Sequence, residues 1–332
     1  MADRILLNAT KGKPKSLSLC NKELKNVPSL IGKITSLKAV DLKNNVLTDL
    51  PEEFSFLKQL ESLNIGNNKF EDLPEVLAFV SGLQRLHLFN NQLSHLNSLV
   101  LNGMQKLTFL NLNGNKLQSL PREINSVPIE ICHLINLTEL HLADNQISSL
   151  PEDMAFLRSL TKLYVYKNFI EELPEGLSKC TQLRVLDVSA NRLRVFPAEL
   201  SNLPLKELYC EENNLLQHIP VHSQQEDEVL TLKEISARLV LKELKNGRSY
   251  VKRFIRHYPK VQEMLQFATD CAVCGQSFLN TWLECVHFVD ARKVLRTKTR
   301  PGIIPVRGLL CSYKCFNTEG HDYFGIAYVG DT

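Results

Sequence analysis

Along residues 160–174, LTKLYVYKNFIEELP, apolar and polar positions follow the order LxxLxLxxNxLxxLP, and that order returns again and again between residues 15 and 220. Leu163 and Val165 alternate with Tyr164 and Tyr166, the period of a short strand with its aliphatic residues turned inward and its tyrosines outward. Asn168 falls where the chain must turn, and an Asn there can bond backbone groups that the turn leaves unpaired. Pro51-Glu52, Pro74-Glu75, Pro151-Glu152 and Pro174-Glu175 each place a Pro where a helical turn begins and an acid where its amide dipoles favour one. Each copy is therefore expected to contain a strand, a turn and a short helix or 3₁₀ turn.

Aligned on that Asn, the copies fall at Asn45, Asn68, Asn91, Asn115, Asn145, Asn168, Asn191 and Asn213, with Lys22 in the equivalent place of a degenerate first copy. This gives nine repeats, mostly 23 residues apart. The period is that of leucine-rich repeats and lies outside the helical repeat families. Strands stack ~4.8 Å apart and helices are ~10 Å wide, so such a stack curves with the strands inside. The expected fold is an α/β solenoid, a horseshoe with a parallel sheet on its concave side. Nine strands span roughly 40 Å, which suits a protein partner better than a small metabolite. The outward strand positions carry His87, Phe89, Phe109, His141, Tyr164, Tyr166 and Tyr209. Exposed aromatics on a rigid sheet are typical of interfaces, and these residues mark the candidate partner-binding face. Ordinary surface scatter is the alternative, and Phe109 could instead lean into the core.

Residues 1–14 are expected to cap the first repeat, with Ile5, Leu6 and Leu7 as the plug. After Asn115 the next ladder Asn comes 30 residues later instead of 23, and the surplus lies in PREINSVPIEICHL, read as a loop insertion near residues 125–131. The repeats run to residue 220, and a polar, acidic linker follows over 221–229. A helical segment is expected over 230–268. There Thr231 and Glu234 form a capping box, and Leu232, Ile235, Ser236, Leu239 and Val240 fall on one face. A second helical stretch carries Val251, Phe254, Ile255, Val261 and Leu265, broken or kinked at Pro259.

The remaining residues, 269–332, contain Cys271-Ala-Val-Cys274 and Cys311-Ser-Tyr-Lys-Cys315. Two Cys pairs at such spacing predict one tetrahedral zinc site, because thiolates two or three residues apart can reach a single ion. Four Cys ligands leave no vacancy for water, so the zinc is expected to be structural. Reduced buried cysteines or disulfides are the alternatives. The stretch reads as a small treble-clef-like or zinc-ribbon-like lobe, in which Cys285 and His287 are core or surface residues and not ligands.

A chain of 332 residues, 44% hydrophobic and 23% charged, can bury a long core. Its net charge of +3 gives no strong preference for nucleic acid or membrane, and no apolar run approaches a membrane span. The N-terminus does not read as a secretory signal. Cys20, Cys132, Cys180 and Cys210 are scattered singly through the repeats, which predicts a reducing compartment, the cytoplasm or the nucleus. Arg292, Lys293, Arg296, Lys298, Arg300 and Arg307 form a basic stretch with which a zinc lobe could touch nucleic acid, the second alternative for the chain; a solvated loop is the preferred reading, since no aromatic residues interleave with its charges as single-strand binding requires. No phosphate loop, GxSxG or catalytic grouping is visible, so the expected function is non-enzymatic, with a protein partner and no small-molecule substrate.

The passages CAVCGQSFLNTWLECVHFV, LLCSYKCF and LKELYCEENNLL resemble an intracellular vertebrate leucine-rich repeat family. More narrowly, a repeat array followed by TLKEISARLV and a CxxCG knuckle with a CSxxC pair resembles the leucine-rich substrate receptors of cullin-RING ubiquitin ligases. That resemblance implies a BC box for elongin C, with elongin B and a cullin as further partners, and Thr231, Leu232, Ser236 and Val240 match its pattern. Tyr258-Pro259 offers one Pro of a cullin box without its full apolar spacing. If the helix only caps the repeats, Leu232 and Val240 are buried, and the chain is a general scaffold.

Overall fold

The repeats fold because each copy presents two or three leucines to the same interior line and turns at an Asn that its neighbour can hold. In a computed structural model, described for residues 2–118, 134–216, 230–246, 249–279, 283–295, 297–299, 301–318 and 320–325, strands β1 to β9 form one parallel sheet in sequence order. They are Ser16–Ser18, Ala39–Asp41, Ser62–Asn64, Arg85–His87, Phe109–Asn111, Glu139–His141, Lys162–Tyr164, Val185–Asp187 and Glu207–Tyr209. The central residue of each strand, such as Leu63, Leu86, Leu140 or Leu163, is buried, and its two neighbours lie on the other face of the sheet.

The ladder Asn residues hold adjacent copies together. Asn168 Nδ2 donates to Leu142 O in the preceding repeat (3.0 Å) and to Val165 O in its own (2.9 Å), while its Oδ1 accepts the Ile147 amide (3.0 Å). Asn45, Asn68, Asn91, Asn115, Asn145 and Asn191 repeat the arrangement, and all are buried. The residue just before each ladder Asn has a left-handed backbone: Asn44, Asn67, Asn90, Gly114, Asp144, Lys167, Ala190 and Glu212 have φ between 51° and 66°. Asn and Gly tolerate that region and Ala does not, so Ala190→Gly is expected to stabilise the chain by about 1 kcal/mol, read from the urea midpoint.

The return paths are 3₁₀ turns at Ser29–Lys33, Glu52–Phe56, Glu75–Phe79, Glu152–Phe156, Glu175–Lys179 and Leu200–Asn202, with helix α2 at Ser98–Asn102. Pro51, Pro74, Pro151 and Pro174 sit one residue before the turn as its N-cap. Helix α1, Ala2–Gly12, packs at the first repeat. Of the expected plug only Leu6 is fully buried; Leu7 is 53% exposed, because successive helical residues point about 100° apart. The insertion near 125–131, the linker 221–229 and Cys132 lie outside the described residues.

Contacts divide the chain into two units that interleave in sequence. The first comprises Met1–Arg194, Ser201–Asn214 and Ala291–Gly302, and the second Val195–Leu200, Leu215–Asp290 and Ile303–Thr332. In the second, α3 is Leu232–Lys245, α4 is Val251–Phe254 and α5 is Pro259–Leu265, which Pro259 opens as a fresh helix. Strands β10 (Thr269–Asp270) and β11 (Ser277–Phe278) pair antiparallel, and β12 (Leu283–Asp290) pairs antiparallel with β13 (Ile303–Leu310) and with β14 (Phe324–Gly325). Phe196 joins this unit by hydrogen bonds to Pro305 and Arg307 on β13. Among the described residues, no helix is long and apolar enough to cross a membrane.

Helix α6, Ala291–Leu295, and the residues after it belong to the first unit and are not the solvated loop that the charge pattern suggested. Ala291, Leu295 and Thr297 are buried. Lys298 N donates to Lys206 O (2.6 Å), and Thr299 Oγ1 both accepts the Leu208 amide (3.0 Å) and donates to Leu208 O (2.8 Å). These bonds satisfy the open edge of β9, which would otherwise template strand addition. Arg292, Lys293 and Lys298 point to solvent, Arg307 lies on β13, and Arg296 and Arg300 are outside the described residues.

Candidate metal centre and recognition surfaces

Cys271 and Cys274 lie on the turn between β10 and β11. The Cys271 amide donates to Gln276 O and the Gly275 amide to Cys271 O, both at 2.9 Å, and Gly275 takes φ +69°, which lets the chain double back. Cys311 follows β13, and Cys315 lies on helix α7, Tyr313–Phe316, whose first turn is tied by the Cys315 amide to Ser312 Oγ (3.3 Å). All four Sγ atoms lie within 4.8 Å of one another, with Cys274 and Cys311 3.5 Å apart and Cys311 and Cys315 3.6 Å apart. Thiolates at ~2.3 Å from a tetrahedral zinc are ~3.8 Å from one another, so the donor set and the 3.5 and 3.6 Å pairs are close to what that ion needs.

The electrostatics point the same way. Burial opposes ionisation at Cys271, yet backbone amides from Cys274, Cys311 and Val273 bring its thiol down to about 7. Burial and the neighbouring thiols Cys274, Cys315 and Cys271 push Cys311 far up. Four crowded sulfurs cannot all carry charge unless a cation balances them. Cys285 stands apart from this set: fully buried, it donates to Gly308 O (3.1 Å) and packs with Phe278, Leu309 and Leu310. His287 stacks on Tyr323, 5.3 Å between ring centres.

Helix α3 begins as its sequence predicts, with Thr231 Oγ1 accepting the Glu234 amide (3.2 Å). The apolar stripe is not its buried face, so the capping alternative, which buries Leu232, does not hold. The buried face is Glu234, Ala237 and Leu241, whereas Leu232, Ile235 and Leu239 are 80%, 52% and 63% exposed; Ser236 is also exposed. The Glu234 carboxylate is held inside the unit. It pairs with Arg238 Nε (2.6 Å) and accepts the Leu279 amide, and Arg238 Nη2 in turn donates to Cys311 O (2.9 Å), beside the cysteine cluster. Val240 packs against the cluster of Ala237, Leu241 and Leu265, so of the four residues of the BC-box pattern only Val240 is held inside.

On the sheet, the rings of His87, Phe109, His141 and Tyr164 stack in succession from β4 to β7, their centres 4.7, 5.1 and 4.6 Å apart. Phe89 meets His87 edge-on at 6.5 Å, and its ring covers Gly66, where a Cβ would collide with it. Within this stack Phe109 is buried to 8% exposure, and the Arg85 guanidinium stands 4.3 Å from its ring centre. Tyr166 and Tyr209 are half-buried and outside the stack, Tyr209 donating to Glu207 (3.3 Å). Glu139 bonds Lys162 (2.9 Å) and lies 3.6 Å from His141 Nε2.

Burial lowers the pKa of both His87 and His141 from 6.5, with Arg85 adding to the effect at each and Glu139 opposing it at His141. The folded state therefore binds fewer protons than the unfolded chain once pH falls below about 6.5, and stability must drop as pH falls through that window. The melting temperature is expected to fall more between pH 7.5 and 5.5 in the wild-type chain than in His87→Gln/His141→Gln.

The nine-stranded parallel sheet with its Asn ladder is a leucine-rich repeat fold. Models described as leucine rich repeats match residues 35–78, 106–127 and 135–193. It is similar to leucine-rich repeat-containing protein 69 of Xenopus laevis, 46% identical over 130 residues, and of Homo sapiens, 40% identical over 125 residues. The first match covers 39% of this chain and 38% of its relative, the second 38% and 36%, so the chain spans little more than a third of the relatives it matches. Among solved structures it is similar to the leucine-rich repeat ectodomain of the plant receptor kinase GASSHO1/SCHENGEN3 of Arabidopsis thaliana. That structure is in complex with CASPARIAN STRIP INTEGRITY FACTOR 2; the match has TM-score 0.50 and 31% identity and covers 57% of this chain and 23% of that one.

Proposed function

We propose that this chain is a non-enzymatic recognition protein that holds a protein partner on the open face of its nine-stranded sheet and carries one structural zinc ion on Cys271, Cys274, Cys311 and Cys315. The observation that carries the first part is the continuous run of rings from Phe89 through His87, Phe109 and His141 to Tyr164, backed by a ladder that fixes the strands. Such rigid aromatic area binds at low entropic cost. The zinc would hold the β10–β11 turn to α7, and catalysis is outside its reach because four thiolates fill its coordination shell. A cytoplasmic or nuclear setting is supported by the thiols, all free among the described residues.

Affinity purification from cells with matched quantities of wild type and Phe89→Ala/Tyr164→Ala tests the sheet. A partner recovered at least tenfold less by the variant supports the reading, and equal recovery of every co-purifying protein contradicts it.

One observation favours a second reading, that α3 docks into elongin C with elongin B and a cullin beyond it. Leu232, Ile235 and Leu239 form an apolar stripe that nothing among the described residues buries. Because Leu232 is 80% exposed, Leu232→Asp is expected to change stability by no more than about 0.5 kcal/mol. Elongin B/C binding by the wild type that this variant abolishes supports the ligase-receptor reading. No binding by folded wild-type protein removes it.

A further inference from the structure

A second surface on the helical segment, separate from both the sheet and the α3 stripe, has a different chemistry. Tyr250, Phe254 and Tyr258 are 78%, 59% and 61% exposed, and they recur every four residues along a continuous run made of α4 and the 3₁₀ turn Ile255–His257. Tyr250 caps α4 and Phe254 ends it, so at a helical rise of ~1.5 Å per residue these two rings stand ~6 Å apart along the axis, and Tyr258 follows just after the 3₁₀ turn. Lys252, Arg253, Arg256, His257 and Lys260 are interleaved with them and exposed, and no acid occurs between Glu243 and Glu263. Among the described residues Lys252, Arg253, Arg256 and Lys260 make no ion pair. Ile255 and Val261 pack against Ala237, Leu241 and Leu265, so the segment's large aliphatic side chains serve the core and its rings and cations face solvent.

We propose that this stripe binds single-stranded RNA, its rings stacking on bases and its cations meeting the phosphates. A strand of cations that have no internal partner complements a polyanion, and rings at regular spacing serve successive bases whatever their sequence. A lipid surface is the less favoured match, because insertion needs an aliphatic face, and Ile255 and Val261 are already packed inward. The inference stands independently of the sheet-face reading, and either can fail alone.

The test is fluorescence anisotropy of a labelled 12-nucleotide oligouridylate with the full-length, zinc-loaded chain, together with pelleting on vesicles containing phosphatidylserine. Four phosphate contacts give a slope of log affinity against log salt of about −3, a loss of ~50-fold between 50 and 200 mM salt. Arg253→Ala/Arg256→Ala is expected to halve that slope. Tyr250→Ala/Phe254→Ala should weaken binding by ~30-fold or more at constant slope, while Leu239→Ala, on the exposed stripe of α3, leaves it unchanged. All five side chains are exposed, so folding is not at stake. No RNA binding at 50 mM salt overturns the proposal, as does binding that the Arg or aromatic variants leave unaltered. Vesicle binding that these variants abolish and the oligonucleotide fails to compete overturns it in favour of a lipid surface.

Discussion

Cys311→Ser is expected to release one zinc ion per chain and to abolish cooperative folding of the second unit, the largest effect of any single substitution considered. The four sulfurs lie within 4.8 Å of one another with no counter-charge among them, and structural zinc in comparable small lobes contributes on the order of 10 kcal/mol of folding free energy. That exceeds what the local core of Phe278, Cys285, Leu309 and Leu310 could replace. Metal analysis should read one zinc in wild type, one in Cys20→Ser and none in Cys311→Ser. Chelation should remove the melting transition of the second unit and leave that of the repeats. A metal-free chain with both transitions intact would make the cluster a set of reduced core thiols.

Asn168→Ala carries the largest expected effect within the repeats. It removes the acceptor for the buried Ile147 amide, and stranding that donor costs ~1–3 kcal/mol, while Leu142 O and Val165 O each lose one of two donors and keep Asn145 and Asn191. A loss of about 3 kcal/mol is expected in urea unfolding followed by circular dichroism. Asn136→Ala, which removes one exposed bond to Gln105 O, should cost under about 1 kcal/mol. Equal losses in the two variants would mean that the ladder is incidental.

How much of this was legible depended on the range of the interaction. The strand phase, the ladder Asn and the paired cysteines are set within a few residues or one repeat, and spacing alone located them. The left-handed position before each ladder Asn went unread, although the doublets Asn44-Asn45, Asn67-Asn68 and Asn90-Asn91 and the Gly at 114 signalled it. Whether the apolar stripe of α3 is covered was not legible, for a physical reason. Periodicity identifies an apolar stripe but not what covers it, and here the buried face is built on Glu234, held by Arg238 and the Leu279 amide. The same limit applied to the second helical stretch, where Ile255 and Val261 pack inward and Phe254 stands 59% exposed. The role of Thr297–Thr299 was invisible because its partners on β9 lie 91 residues earlier, where no local pattern reaches.

The central claim is that the sheet face is where this protein meets its partner, and site-specific photo-crosslinking in cells tests it most directly. A photoreactive phenylalanine analogue is placed at Tyr164, within the ring stack, and in a second protein at Phe79, an exposed residue on a 3₁₀ turn away from the strands. The expected result is a discrete adduct from position 164, lost when Phe89→Ala is added, and none from position 79. Adducts of equal yield from both positions, or adducts from position 79 alone, would contradict it.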